Sequence, residues 1–246
     1  MEHVKRGGIS SLTLRCLAMG LMLCAHLWAT ILPMDILTWL GRLAFPIFAF
    51  LLAEGFRRTS DRKKYALRLL AFALLSEVPF DLMYSGRPVY PYHQNVLWTF
   101  LIAFGCMALC EAAGRKRAWL RWPVLAVSAA VGWLLGMVLM TDYYGFGVLT
   151  VLVFYLFPGR KWYHLAGQLI GLWWINWELL GGLYIPVELF GRQFELVQQG
   201  MAVLALIPIW LYRGRKGRGG KFRQYLGYGF YPLHMLALTA LAWLGL

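Results

Sequence analysis

Acidic residues are scarce in this sequence. Eleven Asp and Glu stand against 24 Lys and Arg, giving a formal net charge of +13. In a soluble chain that imbalance would suggest nucleic acid. Here charged residues make up only 14% of the chain, and the cations cluster in short loops between apolar runs. That is the pattern of the positive-inside rule, so nucleic acid is not an expected partner. Cysteine is also scarce. Cys16, Cys24, Cys106 and Cys110 all fall inside apolar runs, with no Cys-x-x-Cys and no histidine at ligand spacing. Structural core thiols are expected, with neither a disulfide framework nor a metal. There is no polar linker, no low-complexity tract, no internal repeat, and no small-x-small cleavage site after the short basic start. A single domain over 1–246 without a cleavable signal peptide is therefore expected, and the missing repeat counts against an inverted-repeat transporter.

What is present is apolar surface. The chain is 60% hydrophobic with 12 Trp, well above the share usual in a soluble domain. Nine runs approach the roughly 20 residues that cross a bilayer, at about 11–32, 36–56, 63–84, 94–113, 120–141, 144–157, 162–181, 196–212 and 224–245. The expected fold is an all-α polytopic bundle of about nine transmembrane helices in a bacterial inner or plasma membrane, with the lipid bilayer as its first partner. Lys5 and Arg6 precede the first run. The other basic groups are Arg57 to Lys64, Arg115 to Arg121, Arg160 with Lys161, and Arg213 to Arg223. All five fall on alternate loops, which places the N-terminus in the cytoplasm.

An ionisable side chain at membrane depth costs at least ~2.5–3.5 kcal/mol, which makes each one a candidate for function. Arg15 and His26 share the first run, eleven residues apart. At 100° per residue that is three turns plus roughly 20°, so both lie on one face about 16 Å apart. Arg15 either snorkels or holds an anionic group from the cytoplasm, and His26 is either a buried core histidine or a general base. Arg42 has no acid one turn away, so Asp35 or an acid in the third run is its expected partner. Glu54 precedes Arg57 and Arg58, which suggests a local salt bridge. Pro46 is expected to kink the second helix between Arg42 and Glu54. Glu77 and Asp81 share a face if the third helix persists through Pro79, either handling protons together or meeting Arg42. His93, Gln94 and Asn95 open the fourth run, with Asn95 a fitting N-cap and the trio a fitting mouth for an acceptor. Asp142 is either an N-cap for the sixth run or part of that outer mouth. Asn176 and Glu178 lie among tryptophans, and His234 follows Tyr231-Pro232 in the last run.

In order along the chain, Gly41-Arg42-Leu43-Ala44-Phe45-Pro46 with Glu54-Gly55-Phe56, Ser76-Glu77-Val78-Pro79-Phe80-Asp81, His93-Gln94-Asn95, Tyr144-Gly145 and Tyr231-Pro232-x-His234 resemble the TraX family. Its members are associated with conjugal transfer and with N-terminal acetylation of a pilin. That family is in turn similar to the acyltransferase type-three membrane enzymes, whose first helix carries an Arg or Lys, ten residues, then a His. Arg15 and His26 have that spacing. Those enzymes also carry an Arg-x-x-Arg on the third helix, which this chain lacks in that form.

The resemblance implies a membrane acyltransferase that moves an acetyl group from cytoplasmic acetyl-CoA to an amine or hydroxyl at the extracytoplasmic side. The acceptor would be a peptide or pilin, a glycan or a cell-wall polymer. On that reading His26 is the catalytic base, with Glu77 and Asp81 orienting it or the acceptor. Arg15, Arg57, Arg58, Arg62, Lys63 and Arg68 would contact the donor. Arg42, His93, Gln94, Asn95, Asp142 and His234 would contact the acceptor. The competing expectation is a transporter or ion channel in which Glu77, Asp81 and His93 relay a proton. A scaffold without chemistry leaves the Arg15–His26 alignment unexplained.

Overall fold

The computed structural model describes residues 8–189, 191–215, 217 and 221–245. Lys5, Arg6, Lys216 and Arg218 lie outside the described residues, as do the side chains of Lys221 and Arg223. Helix α1 (Ser11–Thr30) starts where the Ser10 hydroxyl accepts from the Thr13 amide at 3.1 Å, and Pro33 follows its end. The second apolar run is broken. Helix α2 (Asp35–Gly41) stops, and α3 (Ala44–Arg58) restarts after Arg42 and Leu43. The expected kink therefore lies upstream of Pro46. The proline has no amide to give to the carbonyl four residues back, that of Arg42, and its ring crowds that position.

Helix α4 (Arg62–Ser85) is capped by Asp61, runs on through Pro79, and ends at Gly86 with φ 69°. Helix α5 (Val96–Lys116) has Asn95 as its N-cap, as expected. Helices α6 (Arg121–Val138) and α7 (Tyr144–Leu156) are joined by a turn in which Met140 and Tyr143 take positive φ. Helix α8 (Trp162–Trp173) passes into a π-helical turn over Trp174–Leu179. Helix α9 (Leu206–Leu211) is preceded by a 3-10 run over Gln198–Ala205, and α10 (Lys221–Trp243) continues through Pro232.

Two expectations need correction. The fold is mostly helical, but strands β1 (Tyr184–Leu189) and β2 (Arg192–Val197) form an antiparallel hairpin, with Tyr184 opposite Val197. The run expected as a helix over about 196–212 thus begins as strand, continues as a 3-10 run and is α-helical only over Leu206–Leu211. Pro186 and the Gly191 turn, with φ 73°, favour the hairpin over a helix. Among the described residues, four stretches are long and apolar enough to cross a membrane: Ser11–Thr30, Asp35–Arg58, Val96–Lys116 and Ala118–Val138. This supports a membrane-like helical fold but not nine spans. Tyr144–Leu156 and Gln198–Leu211 are apolar but shorter, and α4 is long enough yet carries too many charges. The thiols also divide. Cys106 and Cys110 are core, whereas Cys16 is exposed.

Helix α3 is the centre. Phe45, Ile47, Ala49, Phe50, Ala53 and Phe56 are all buried, packed among Leu14 and Ala18 of α1, Phe100 and Phe104 of α5, and Val148, Val151 and Phe154 of α7. Helix α10 packs on α4 and α1, so the last helix meets the first. Close approach depends on small residues in two places. A Cβ on Gly41 would sit 2.5 Å from the Ala25 Cβ on α1, and one on Gly145 would sit 2.2 Å from the Trp133 carbonyl oxygen on α6. Gly145→Val is therefore expected to cost about 1–3 kcal/mol or more through forced separation of α6 and α7. Thermal unfolding in detergent micelles measures this, and an unchanged midpoint would contradict the close packing.

Candidate functional site

A cavity of about 380 Å³ opens between α1, the α2–α3 break, the end of α4 and the turn before α7. Its polar lining includes His26, Arg42, Tyr84, His93, Asp142, Tyr143, Gln199 and Tyr231. Four of the sequence candidates (His26, Arg42, His93 and Asp142) thus share one space, although they come from four different segments.

His26 is 8% exposed. Its Nδ1 lies 2.6 Å from Nε2 of His234, 208 residues away on α10. The His234 Nδ1 lies 2.7 Å from the Phe230 carbonyl oxygen. A carbonyl oxygen only accepts, so His234 Nδ1 carries a proton and donates it. In a neutral ring His234 Nε2 is then the acceptor, and His26 Nδ1–H donates to it. That leaves His26 Nε2 as a bare lone pair, with no hydrogen-bond partner among the described residues. The two rings lie parallel, 3° apart, and Tyr84 stands edge-on to His26 with ring centres 6.3 Å apart. His234 was expected to meet the acceptor. It contacts His26 instead.

Arg42 meets neither Asp35, which is exposed, nor an acid of α4. It donates to the Gln198 side-chain oxygen at 3.3 Å, and its Nε is buried without a partner. Asp142 does not cap α7 through N2 or N3. It accepts from the Tyr143 amide at 3.1 Å and faces His93 Nε2 at 3.7 Å. Burial, with Asp142 beside it, pushes the Tyr143 phenol up to about 12 against the opposing pull of Arg42. The phenol therefore stays a neutral donor near neutral pH.

Glu77 and Asp81 share a face of the continuous α4, but neither lines this cavity. Glu77 accepts from the Asn95 amide group and from the Trp98 indole at 2.7 Å. Asp81 accepts from the Tyr90 amide at 2.8 Å, while its Oδ1 is buried without a partner. Asn95 also donates to the Ala73 carbonyl at 2.8 Å. These residues clamp α4 to α5 and to the loop between them. Gln94 is bound through its backbone to Met140 and Asp142 and so fixes the α6–α7 turn against α5.

A second cavity of about 140 Å³ is lined by Arg15 and by apolar side chains. Met22, Phe48, Val96, Phe100 and Tyr231 line both cavities, so Arg15 and His26 border two adjoining spaces along one seam between α1, α3, α5 and α10. Arg15 lies against Gly227, where an added Cβ would be 3.4 Å from its Cδ. The other basic candidates are elsewhere. Arg57 and Arg58 pair with Glu54 at 3.0 and 2.7 Å, which bears out the local salt bridge. Arg62 faces Glu111 at 3.7 Å and lies over the Phe56 ring. Lys63 is exposed. Arg68 lies over Tyr65, which lines the Arg15 cavity, and its Nε is buried without a partner.

Sequence reasoning missed Tyr84, Gln198 and Gln199 as site residues. The adjacent amides were a usable signal, being two polar side chains inside an apolar run. Gln199 lines the cavity and donates to Asn176 at 2.9 Å.

Comparison with known proteins agrees with the motif order. A family described as "TraX protein" matches residues 10–242. The chain is also 26% identical over 215 residues to the "Probable fimbrial assembly protein FimC, serogroup H1" of Dichelobacter nodosus, covering 84% of this chain and 82% of that protein. No solved structure matches. With the family match running over almost its whole length, the chain belongs to the TraX family.

Proposed function

We propose that this protein is a membrane acyltransferase that moves an acetyl group from acetyl-CoA to an amine or hydroxyl. The observation that carries the reading is the bare Nε2 of His26, whose ring borders a cavity that adjoins the one lined by Arg15. A neutral imidazole in an apolar bundle suits general-base work. A guanidinium at the other end of the seam suits the phosphates of coenzyme A. The similarity to the type-three acyltransferases belongs to the same proposal.

The chemistry runs as follows. The acceptor amine or hydroxyl enters the larger cavity between Arg42, His93 and Asp142. His26 Nε2 takes its proton as the acceptor oxygen or nitrogen attacks the thioester carbonyl. Tyr143 and Arg42 are the nearby donors for the developing oxyanion. The C–S bond then breaks, and the thiolate of coenzyme A recovers the proton from His26. Glu77 and Asp81 serve this scheme by holding the α4–α5 wall, outside the reacting space.

The orientation that fits this scheme is an N-terminus in the cytoplasm and a chain that crosses the bacterial inner or plasma membrane repeatedly, up to nine times. Arg15 then faces the compartment that holds acetyl-CoA, and the His93 side faces outward. The relative named as a fimbrial assembly protein favours a secreted protein subunit as acceptor over a glycan or wall polymer. A transport relay through Glu77, Asp81 and His93 gains no support, because Glu77 and Asp81 are each engaged in separate structural hydrogen bonds.

Two measurements bear on this. Acetyl-CoA binding by the protein in nanodiscs, followed by calorimetry, is expected to weaken about 10- to 100-fold in Arg15→Ala, as for loss of a charge-assisted hydrogen bond. Equal binding by both forms would remove Arg15 from the donor site. Coenzyme A release with a short peptide bearing a free amino terminus is expected to fall by about 10²–10⁴ in His26→Ala while the variant still inserts. Unchanged turnover would remove His26 as the base.

A further inference from the structure

The mechanism above uses one lone pair on His26 but does not explain what keeps it there. A free neutral imidazole exchanges between two tautomers, and one of them puts the proton on Nε2, where it would block the base. The structure holds a specific arrangement against that. His26 Nδ1 meets His234 Nε2 at 2.6 Å, and His234 Nδ1 meets the Phe230 carbonyl at 2.7 Å. Both imidazoles are buried. The polarity of this chain is set at its far end by the carbonyl, an obligate acceptor four residues back on α10.

We infer that His234 is a positioning residue for the acyl transfer. It fixes the His26 tautomer through a carbonyl–imidazole–imidazole chain and accepts the Nδ1–H of the imidazolium that forms at His26. The inference rests on the reading of His26 as general base and adds the group that aims it. In catalytic triads a carboxylate does the same work. In this apolar seam a neutral partner avoids burying a second charge next to the base.

The surroundings are consistent with this assignment. Phe230 stacks on His234 with ring centres 4.6 Å apart and planes 10° apart, which fixes the ring plane. Tyr231 sits one helical position before Pro232 and lines both cavities. The charged and titratable groups that share the cavity with His26 are Arg42, Tyr84, His93, Asp142, Tyr143, Tyr144 and Tyr231. None of their side chains is hydrogen-bonded to either imidazole among the described residues. The tautomer is therefore held by the α10 backbone alone, through His234.

The test uses the full-length protein in nanodiscs with ¹⁵N-labelled histidine, the His26 signals being assigned by their loss in His26→Asn. Wild type is expected to show one His26 tautomer, protonated at Nδ1. His234→Ala is expected to show a mixture. His234→Gln is expected to keep the wild-type pattern, since its side-chain oxygen can stand where Nε2 stood. Turnover is read with hydroxylamine as the probe nucleophile and acetyl-CoA as donor. The turnover rate is expected to fall roughly 10²-fold in His234→Ala, with little change in KM for acetyl-CoA, and to recover to within about threefold in His234→Gln. A His26 proton on Nε2 in wild type would overturn the inference. So would unchanged tautomers in His234→Ala, or equal loss of rate in both variants. The expected tautomers without any acetyl-CoA turnover in wild type would retire the acyltransferase reading and leave the histidine chain standing.

Discussion

An apolar bundle leaves an ionisable side chain only two stable options, a partner or a wet cavity. His26 has both. Its Nδ1 is tied to His234 and its ring borders an open space. That hydrogen bond joins the first helix to the last, within the packing that sets the register of α10 against α1. The seam that carries Arg15, Tyr231 and His26 follows from that register.

The same constraint operates elsewhere in the molecule, but with a different result. Glu54 is taken up by Arg57 and Arg58, and Arg58 also donates to the Gly214 carbonyl. Glu77 is taken up by Asn95 and Trp98, and Asn176 by Gln199 and the Leu172 carbonyl. In each case the polar atoms are spent on joining one segment to another. Around the His26 cavity they are not. Arg42 donates to Gln198 at 3.3 Å and keeps a buried Nε with no partner among the described residues, and Asp142 stands 3.7 Å from His93. Buried polar atoms without a partner among the described residues also occur away from the cavity, at Asp81 Oδ1 and Arg68 Nε, so what marks the candidate site is the open space that Arg42, His93 and Asp142 share with His26.

The helices themselves were legible because they depend on local chemistry. Asn95 caps α5, Glu54 pairs within its own helix, and α4 persists through Pro79. The hairpin at Tyr184–Val197 was not legible as strands, because nearly all of it falls in the short polar-flanked segment between two apolar runs and its pairing is fixed only by the partner strand. The break at Arg42 and Leu43 was expected as a kink nearer Pro46. The proline's effect falls on a carbonyl four residues upstream, and Gly41 packs there against Ala25. Partner choice was the least legible feature. Arg42 found an amide rather than an acid, and Glu77 and Asp81 served separate loops and helices.

The sequence by itself determined that Arg15 and His26 share one face of one helix, since eleven residues at 100° each is a matter of helix geometry. It also determined the apolar character of the long runs, the basic loops and the membership of the TraX family. Only the tertiary structure decided that His234, from 208 residues away, would be the group against His26, and that Arg42, His93 and Asp142 would meet in one cavity. The physical reason is range. Periodicity and capping act over a few residues, whereas the meeting of α1 and α10 is the sum of many small packing contacts made by every helix in between.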